Sequence, residues 1–291
     1  MCQFCKEHGE GKKWYLQAKN YSMEMLHEKL SSEQMNIVHT TTRSEWLSKF
    51  FDNFVLPASS ESVKRSNRIQ DEPVTESPGV QLTEDEILHR QKVTHFGQVL
   101  PVEDVEEIID MVTSVTRLPC GCRFISTGKS DKRYCFGVAM DVTGRMGNFP
   151  DSSLSLEVLE KDEAKKIFRM YDREGLIHSI WTGVTPYVVG ICNCDRDCMA
   201  YRYYIDRNGM PMFFRAEYIC QTDWDLCTGC KSCMSQCQFG AVSYSSALSK
   251  CYINPVKCYG CGVCRTECQH EAITLIPRQE HPEAADIWLK S

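Results

Sequence analysis

Two short runs, CTGCKSCMSQC and CYGCGVCRTEC, constrain this chain more than any other feature. The first places Cys227, Cys230, Cys233 and Cys237 at x2-x2-x3 spacing, and the second repeats that spacing with Cys258, Cys261, Cys264 and Cys268. The segments that follow, QFGAVSY and QHEAITL, also match, so a whole unit is duplicated. Three cysteines at three-residue intervals curl around three irons of one cubane cluster, and the fourth faces away to ligate the cluster of the other repeat. Gly229, Gly260 and Gly262 let the backbone approach the sulfides, where N–H groups hydrogen-bond and tune them. The expected ligand sets are Cys227, Cys230, Cys233 and Cys268 for one 4Fe–4S cluster, and Cys258, Cys261, Cys264 and Cys237 for a second. Zinc ribbons also use CxxC pairs, but a long spacer separates them in place of a third cysteine at the next x2 step.

On these motifs, residues 219–280 resemble a bacterial-type ferredoxin carrying two 4Fe–4S clusters. That family usually has proline after each fourth cysteine, whereas this chain has Gln238 and Gln269. Proline there sets a turn and is not a ligand. Asp223, Asp225, Glu267 and Glu271 are matched by Lys231, Lys250, Lys257, Arg265 and Arg278. Such a near-neutral module suits a fixed link in a larger complex better than an acidic, diffusing carrier.

The chain has 18 cysteines in 291 residues. No apolar run approaches the ~20 residues of a membrane span. The opening MCQFCKEHGEGKKWYLQ lacks the apolar core of a secretory signal. Grouped cysteines in this context read as metal or cluster ligands in a reducing, cytoplasmic compartment, not as disulfides. A net charge of -6 argues against nucleic acid, which needs a basic surface.

Less regular cysteines lie upstream: Cys120 and Cys122 in LPCGCRF, Cys135 in RYCFGVAM, Cys192, Cys194 and Cys198 in GICNCDRDCMA, and Cys220. Cys192, Cys194 and Cys198 supply three thiolates of a third metal site. The fourth would come from Cys120, Cys122, Cys135 or Cys220, and the occupant would be a third 4Fe–4S cluster or zinc; free buried thiols are the plain alternative. The order PCGCR, CFG, EAKKIF…EGLIH, ICNCDRDC and two ferredoxin repeats is similar to a family of anaerobe 4Fe–4S proteins. In that family Cys-x-Cys-Arg and Ile-Cys-Asn-Cys segments precede a two-cluster ferredoxin. The resemblance covers about residues 98–277 and implies cofactor and class, not a particular reaction. Arg123 either balances anionic cluster charge or forms a surface ion pair. His178 reads as a packing residue, with metal ligation or proton relay as the alternative. Cys2 and Cys5, with His8 nearby, form a metal half-site that needs further ligands from Cys251, Cys220 or His8.

The expected fold class is α+β. Residues 1–56 form an N-terminal helical docking segment, with apolar residues at helical spacing (Met25, Leu26, Leu30; Trp46, Leu47, Phe50). Residues 57–80 have linker composition, rich in Ser, Pro and charge. Residues 81–218 form a mixed α/β domain. Its expected helices are TEDEILHRQKV, with Thr83 and Glu86 as a capping box, PVEDVEEIIDMVTSV, and LEKDEAKKIFRMYDR, ending at Gly175. LPCGCRFIS reads as a short strand or loop, YVVGICNC as a strand, and YRYYIDRNGMPMFFRAEY as a hairpin about Asn208-Gly209. The ferredoxin-like domain spans 219–280, and 281–291 is a tail. The function expected from this arrangement is single-electron transfer, as a non-catalytic subunit or partner of a larger anaerobic oxidoreductase complex. Exposed aromatic residues of the N-terminal segment would dock the redox partner. The alternative is a catalytic or redox-sensing protein whose irregular cysteines hold a cluster with one open iron, fed by the ferredoxin domain.

Overall fold

The computed structural model describes residues 1–50, 89, 93, 97–127, 132–139, 156–198 and 213–288. The linker at 57–80, the Thr83/Glu86 cap and the Asn208-Gly209 turn lie outside the described residues.

Strand alternation organises the central sheet. Its seven strands are β1 (Gly97–Leu100), β2 (Val115–Leu118), β3 (Cys135–Val138), β4 (Glu157–Leu159), β5 (Ile177–Val184), β6 (Tyr187–Cys194) and β7 (Phe213–Phe214), in the order β4-β2-β3-β6-β5-β1-β7. Every pairing is antiparallel except β1 with β7. Successive side chains on a strand face opposite sides. Leu100, Phe136, Val138, Ile180, Ile191 and Phe214 therefore share one apolar cluster, while their neighbours Val99, Ile177, Trp181, Cys192, Cys194 and Phe213 share another on the opposite face.

Helices cover the first face. The N-terminal part contributes α1 (Gln3–His8), while α2 (Met23–His27), α3 (Ser32–Val38) and α4 (Arg43–Phe50) form two smaller apolar clusters around Tyr187 and Val184 at the β5–β6 turn. The middle part contributes α5 (Val102–Met111) and α7 (Lys161–Arg173), whereas α6 (Gly121–Thr127) lies on the other face, where Cys122 packs with Cys192, Cys194 and Cys198. In α5, Val102, Val105, Ile108 and Ile109 fall at helical spacing and are fully buried; Ala164, Phe168 and Tyr171 do the same in α7. The α7 helix ends at Gly175, whose φ of +84° is the left-handed stop that glycine adopts without strain. The LPCGCRFIS segment departs from the expected strand or loop: β2 stops at Leu118 and α6 starts at Gly121.

Four aromatic side chains of the N-terminal segment are not exposed. Phe4, Trp14, Tyr15 and Tyr21 are buried in the core of the first face. Trp14 donates from Nε1 to Gln98 Oε1 at 2.6 Å, Tyr15 donates to Asp104 Oδ2 at 2.7 Å, and Phe4 meets Phe214 edge-on at 5.4 Å. Four large aromatic side chains bring too much apolar surface to leave in water when an unfinished sheet face lies beside them.

The second face carries the C-terminal module. It consists of β8 (Tyr218–Thr222), α8 (Ser232–Gln236), β9 (Val242–Ser245), β10 (Lys250–Ile253) and β11 (Ile273–Pro277), with β8 paired to β11 and β9 to β10. Arg278 ties this module to the preceding segment. It is fully buried and donates from Nε to Ala216 O at 2.7 Å, and from Nη2 to Tyr218 O and Cys258 O, each at 2.9 Å. Burial pulls its guanidinium down to about 10. Arg278→Met would leave three inward-facing carbonyls without their donor. It is expected to cost about 3 kcal/mol, read as a lowered thermal midpoint and faster hydrogen exchange of the β8 and β11 amides.

Candidate metal centres

The two cysteine repeats fold alike. Gly229 and Gly260, at matching positions, have φ of +72° and +74°. A Cβ at Gly229 would lie 2.2 Å from Ser249 O, and one at Gly260 would lie 2.0 Å from Tyr218 O. Both positions therefore demand glycine for conformation and for space. After each fourth cysteine the chain turns back so that an amide meets the sulfur: Ala241 N donates to Cys237 Sγ at 3.2 Å and Ala272 N to Cys268 Sγ at 3.3 Å. The turn survives without proline. Gln238 donates instead from its side chain to Gly175 O, and its own carbonyl accepts from Arg196 Nη2 at 3.2 Å. Both contacts join the module to the central domain.

Cys227, Cys230, Cys233 and Cys268 line one pocket, with Thr222, Cys251, His270 and Ile273 beside them. Cys220 and Cys251 hold matching positions, each seven residues before the first cysteine of its own repeat. Each meets the opposite repeat: Cys220 N donates to Cys258 Sγ at 3.3 Å and Cys251 N to Cys227 Sγ at 3.5 Å. Cys220 also hydrogen-bonds through its thiol to Cys258 and Cys264, which places it in this module and away from the Cys192 group. Cys251 touches Cys233 and lies with the module, not with Cys2 and Cys5. The donor set suits an iron–sulfur cluster: clustered, mostly buried thiols with backbone N–H groups aimed at several sulfurs.

The irregular cysteines converge on the second face of the sheet. Cys135 on β3 lies directly opposite Cys192 on β6, and Cys194 follows two residues on, pointing the same way. Beyond β6, Asp195 closes a tight turn by accepting Asp197 N at its Oδ1, 2.9 Å, and Cys198 N at its carbonyl, 3.0 Å. That turn brings Cys198 Sγ to 3.4 Å from Cys194 Sγ. From the start of α6, Cys120 meets Cys135 and Cys198, and Cys122 meets Cys198. Contacts between Cys135 and Cys192, and between Cys192 and Cys194, close the circuit. Six thiols, not four, are thus joined in one buried network. Hydrogen bonds from Cys120 and Cys192 hold the Cys135 thiol well below its ordinary value, while bonding to Cys135 pushes Cys120 and Cys192 up.

Arg123 borders this network. It is buried, pairs with Asp195 at 2.7 Å and Asp197 at 3.8 Å, and lies over the Tyr134 ring. It is thus an inward ion pair beside the thiols, not a surface one. Burial opposes its charge, but Asp195 outweighs burial and raises its pKa. His178 alternates to the helix-covered face, where Nδ1 meets Asn193 Oδ1 at 2.6 Å and the ring packs edge-on to Phe168. It is a packing residue, away from the thiols.

The six-thiol network abuts the C-terminal module. Cys261 and Phe239 pack with Cys122, Cys192, Cys194 and Cys198 in one apolar cluster, and Tyr259 stacks on Phe239 at 3.9 Å. Arg265 adds an ion pair to Glu103 on α5 at 2.9 Å.

A third grouping joins the N-terminal segment to the stretch between β7 and β8. Cys2, Cys5 and Glu217 offer ligand atoms that all lie within 4.8 Å of one another, and all three residues are buried. His8 is not in this group. Glu217 carried no sequence signal, because it sits amid ordinary residues and only the fold brings it to Cys2 and Cys5.

Residues 221–243 match the family model of the 4Fe-4S binding domain. The matched segment contains the first repeat, and it makes this chain an iron–sulfur protein with a 4Fe–4S electron-transfer role. No curated protein and no solved structure matches the chain. Among the described residues, no helix is long and apolar enough to cross a membrane.

Gly190 tests the register that gathers the thiols. A Cβ there would lie 2.6 Å from Phe136 O, on the strand that carries Cys135. Gly190→Ala is expected to force β3 from β6, lower the thermal midpoint, and speed alkylation of Cys135 and Cys192 in native, anaerobic protein, as followed by peptide mass spectrometry. Unchanged alkylation would refute this account of the register.

Proposed function

We propose that this chain carries single electrons through two 4Fe–4S clusters, as a subunit or dedicated partner of an oxidoreductase complex in an anaerobic cytoplasm. The observation that carries this reading is the interlock of the repeats, in which Cys268 of the second lines a pocket with Cys227, Cys230 and Cys233 of the first. Those four would hold one cluster, and Cys258, Cys261, Cys264 and Cys237 the other. When bound, such clusters accept and release one electron at a time with little structural change. The protein's part is to position the thiols, aim N–H groups at the sulfurs and limit water, which together set the potential.

The six-thiol network is the third centre in this proposal. Cys192, Cys194 and Cys198 would bind a further cluster or zinc with ligands drawn from Cys120, Cys122 and Cys135. The place of Cys261 in the same apolar cluster as Cys122, Cys192, Cys194 and Cys198 supports an electronic link to the ferredoxin-like module. An open iron fed by the module is the rival reading, and the supply of six thiols where four suffice counts against it.

Exposure suggests where a redox partner approaches. Among the described cysteines Cys230 is the exposed one, and Trp224 and Leu226 stand out from the same module at 48 % and 51 % exposure. Buried aromatics of the N-terminal segment cannot serve this purpose without unfolding the core.

Anaerobically purified protein is expected to contain about eight irons and eight acid-labile sulfides in the module. Cys227→Ser and Cys258→Ser should each remove the iron and the reduced-state EPR signal of one cluster. A triple Cys192→Ser/Cys194→Ser/Cys198→Ser variant should lose a further metal while keeping the module's iron. An equal metal content in the triple variant and the parent would sink the third centre.

A further inference from the structure

We propose that Cys2, Cys5 and Glu217 form a zinc site that staples the N-terminal segment to the junction between the central domain and the ferredoxin-like module. Cys2 Sγ lies 3.4 Å from Cys5 Sγ, and the Cys5 thiol donates to Glu217 Oε1 at 3.1 Å. The same carboxylate oxygen accepts Cys2 N at 3.0 Å. Cys5 is 0 % exposed, Cys2 3 % and Glu217 7 %.

Three features point to a cation. First, a carboxylate this buried is costly unless a charge compensates it. Among the described residues its one ion pair is a 4.0 Å contact with the terminal ammonium, and the nearby Arg278 guanidinium, which also attracts it, spends its hydrogen bonds on the carbonyls of Ala216, Tyr218 and Cys258 and not on this carboxylate. Second, the three ligand atoms converge from opposite ends of the fold, and the chain is shaped to let them. Cys2 and Cys5 sit one helical turn apart on α1, and the loop after them folds back tightly at Gly9, where a Cβ would strike Lys12 O at 2.1 Å and Cys5 O at 2.4 Å. Third, the donor set is selective. Two thiolates and one carboxylate at a tetrahedral centre suit zinc, whereas magnesium and calcium prefer all-oxygen sets. Binding converts two thiols to thiolates and releases two protons, and the zinc balances most of the resulting negative charge.

The placement assigns the role. Glu217 lies between Ala216 and Tyr218, whose carbonyls Arg278 holds, and its own carbonyl accepts Arg278 N at 2.8 Å. A metal here would lock α1, the interdomain segment and the end of β11 into one unit. The site is separate from the six-thiol network, so its failure and the failure of the electron-transfer reading are distinguishable.

The test uses full-length protein, purified without oxygen, with zinc and iron measured by plasma mass spectrometry and zinc ligation by X-ray absorption. The parent should show a zinc with two sulfur and additional oxygen or nitrogen neighbours. Cys5→Ser should lose one zinc per chain with iron unchanged. Glu217→Gln keeps the volume and most of the hydrogen bonding. It should fold and hold zinc at least tenfold more weakly against a competing chelator. In both variants limited proteolysis should cut earlier within residues 1–21. Equal zinc retention by the parent and both variants would overturn the proposal. So would a Cys2–Cys5 disulfide in the untreated protein, or a parent in which every zinc has four sulfur neighbours.

Discussion

The alternation of side chains along β3 and β6 is the constraint on which the rest of this structure depends. Phe136 and Ile191 turn to the helix-covered face, and their neighbours Cys135 and Cys192 turn to the other. A one-residue slip of either strand would send thiols into the apolar core and aromatic rings onto the thiol-bearing face. The register is held from both sides. Gly190 lets β3 come close, and Phe136 packs on Phe168 at 4.4 Å between ring centroids. The chemistry of the thiol face thus rests on ordinary apolar packing of the opposite face.

A second layer of dependence runs through residues 215–218. This short stretch leaves the sheet after β7 and enters the module at β8, so it fixes how the two halves meet. Arg278 holds its carbonyls from the module side, Arg215 lies over the Tyr259 ring at 4.5 Å, and Gln98 Nε2 donates to Arg215 O at 3.0 Å from the sheet. Gln98 also accepts from Trp14, so the N-terminal segment, the sheet and the module share one chain of hydrogen bonds. The apolar cluster that Cys261 shares with Cys194 and Cys198 follows from this docking.

Local patterns in the sequence were read well where they set local structure. The periodicity of α5 and α7, the Gly175 stop and the strand of YVVGICNC all stand in the structure. The x2-x2-x3 rhythm identified the 4Fe–4S segment because ligand spacing on one loop is a local property. What could not be read was long-range. That Cys120, Cys122 and Cys135 all join Cys192, Cys194 and Cys198 depends on strand pairing, which spacing along the chain does not encode. Cys220 and Cys251 sit near candidate partners in sequence yet face the opposite repeat, because β8 pairs with β11 and β10 with β9. Trp14 and Tyr15 looked like surface aromatics within a polar stretch, and only the unfinished sheet face explains their burial. The LPCGCRFIS segment mixes apolar and small residues without clear period, so its strand-to-helix change at Leu118–Gly121 left no local mark.

The two faces of the sheet have different sources of stability. On the helix side, fully buried Val, Ile, Leu and aromatic side chains form a conventional core, whose free energy comes from water exclusion. On the other side much of the buried surface is sulfur, and thiols packed in contact gain little from one another while they remain protonated. Hydrogen bonding to neighbouring thiols, with burial behind it, pushes Cys120, Cys192 and Cys194 up, so ionising several of them together is disfavoured without a cation. A metal that took these thiols as thiolates would add its binding free energy to the stability of the fold. This asymmetry explains why the module needs so many ties to the central domain. Arg265 to Glu103, Gln238 to Gly175 and Arg196 to Gln238 each anchor the cysteine-rich module to the helices and strands of the central domain. The apolar packing of the helix-covered face thus presents Cys135, Cys192 and Cys194 in register on the opposite face of the same strands.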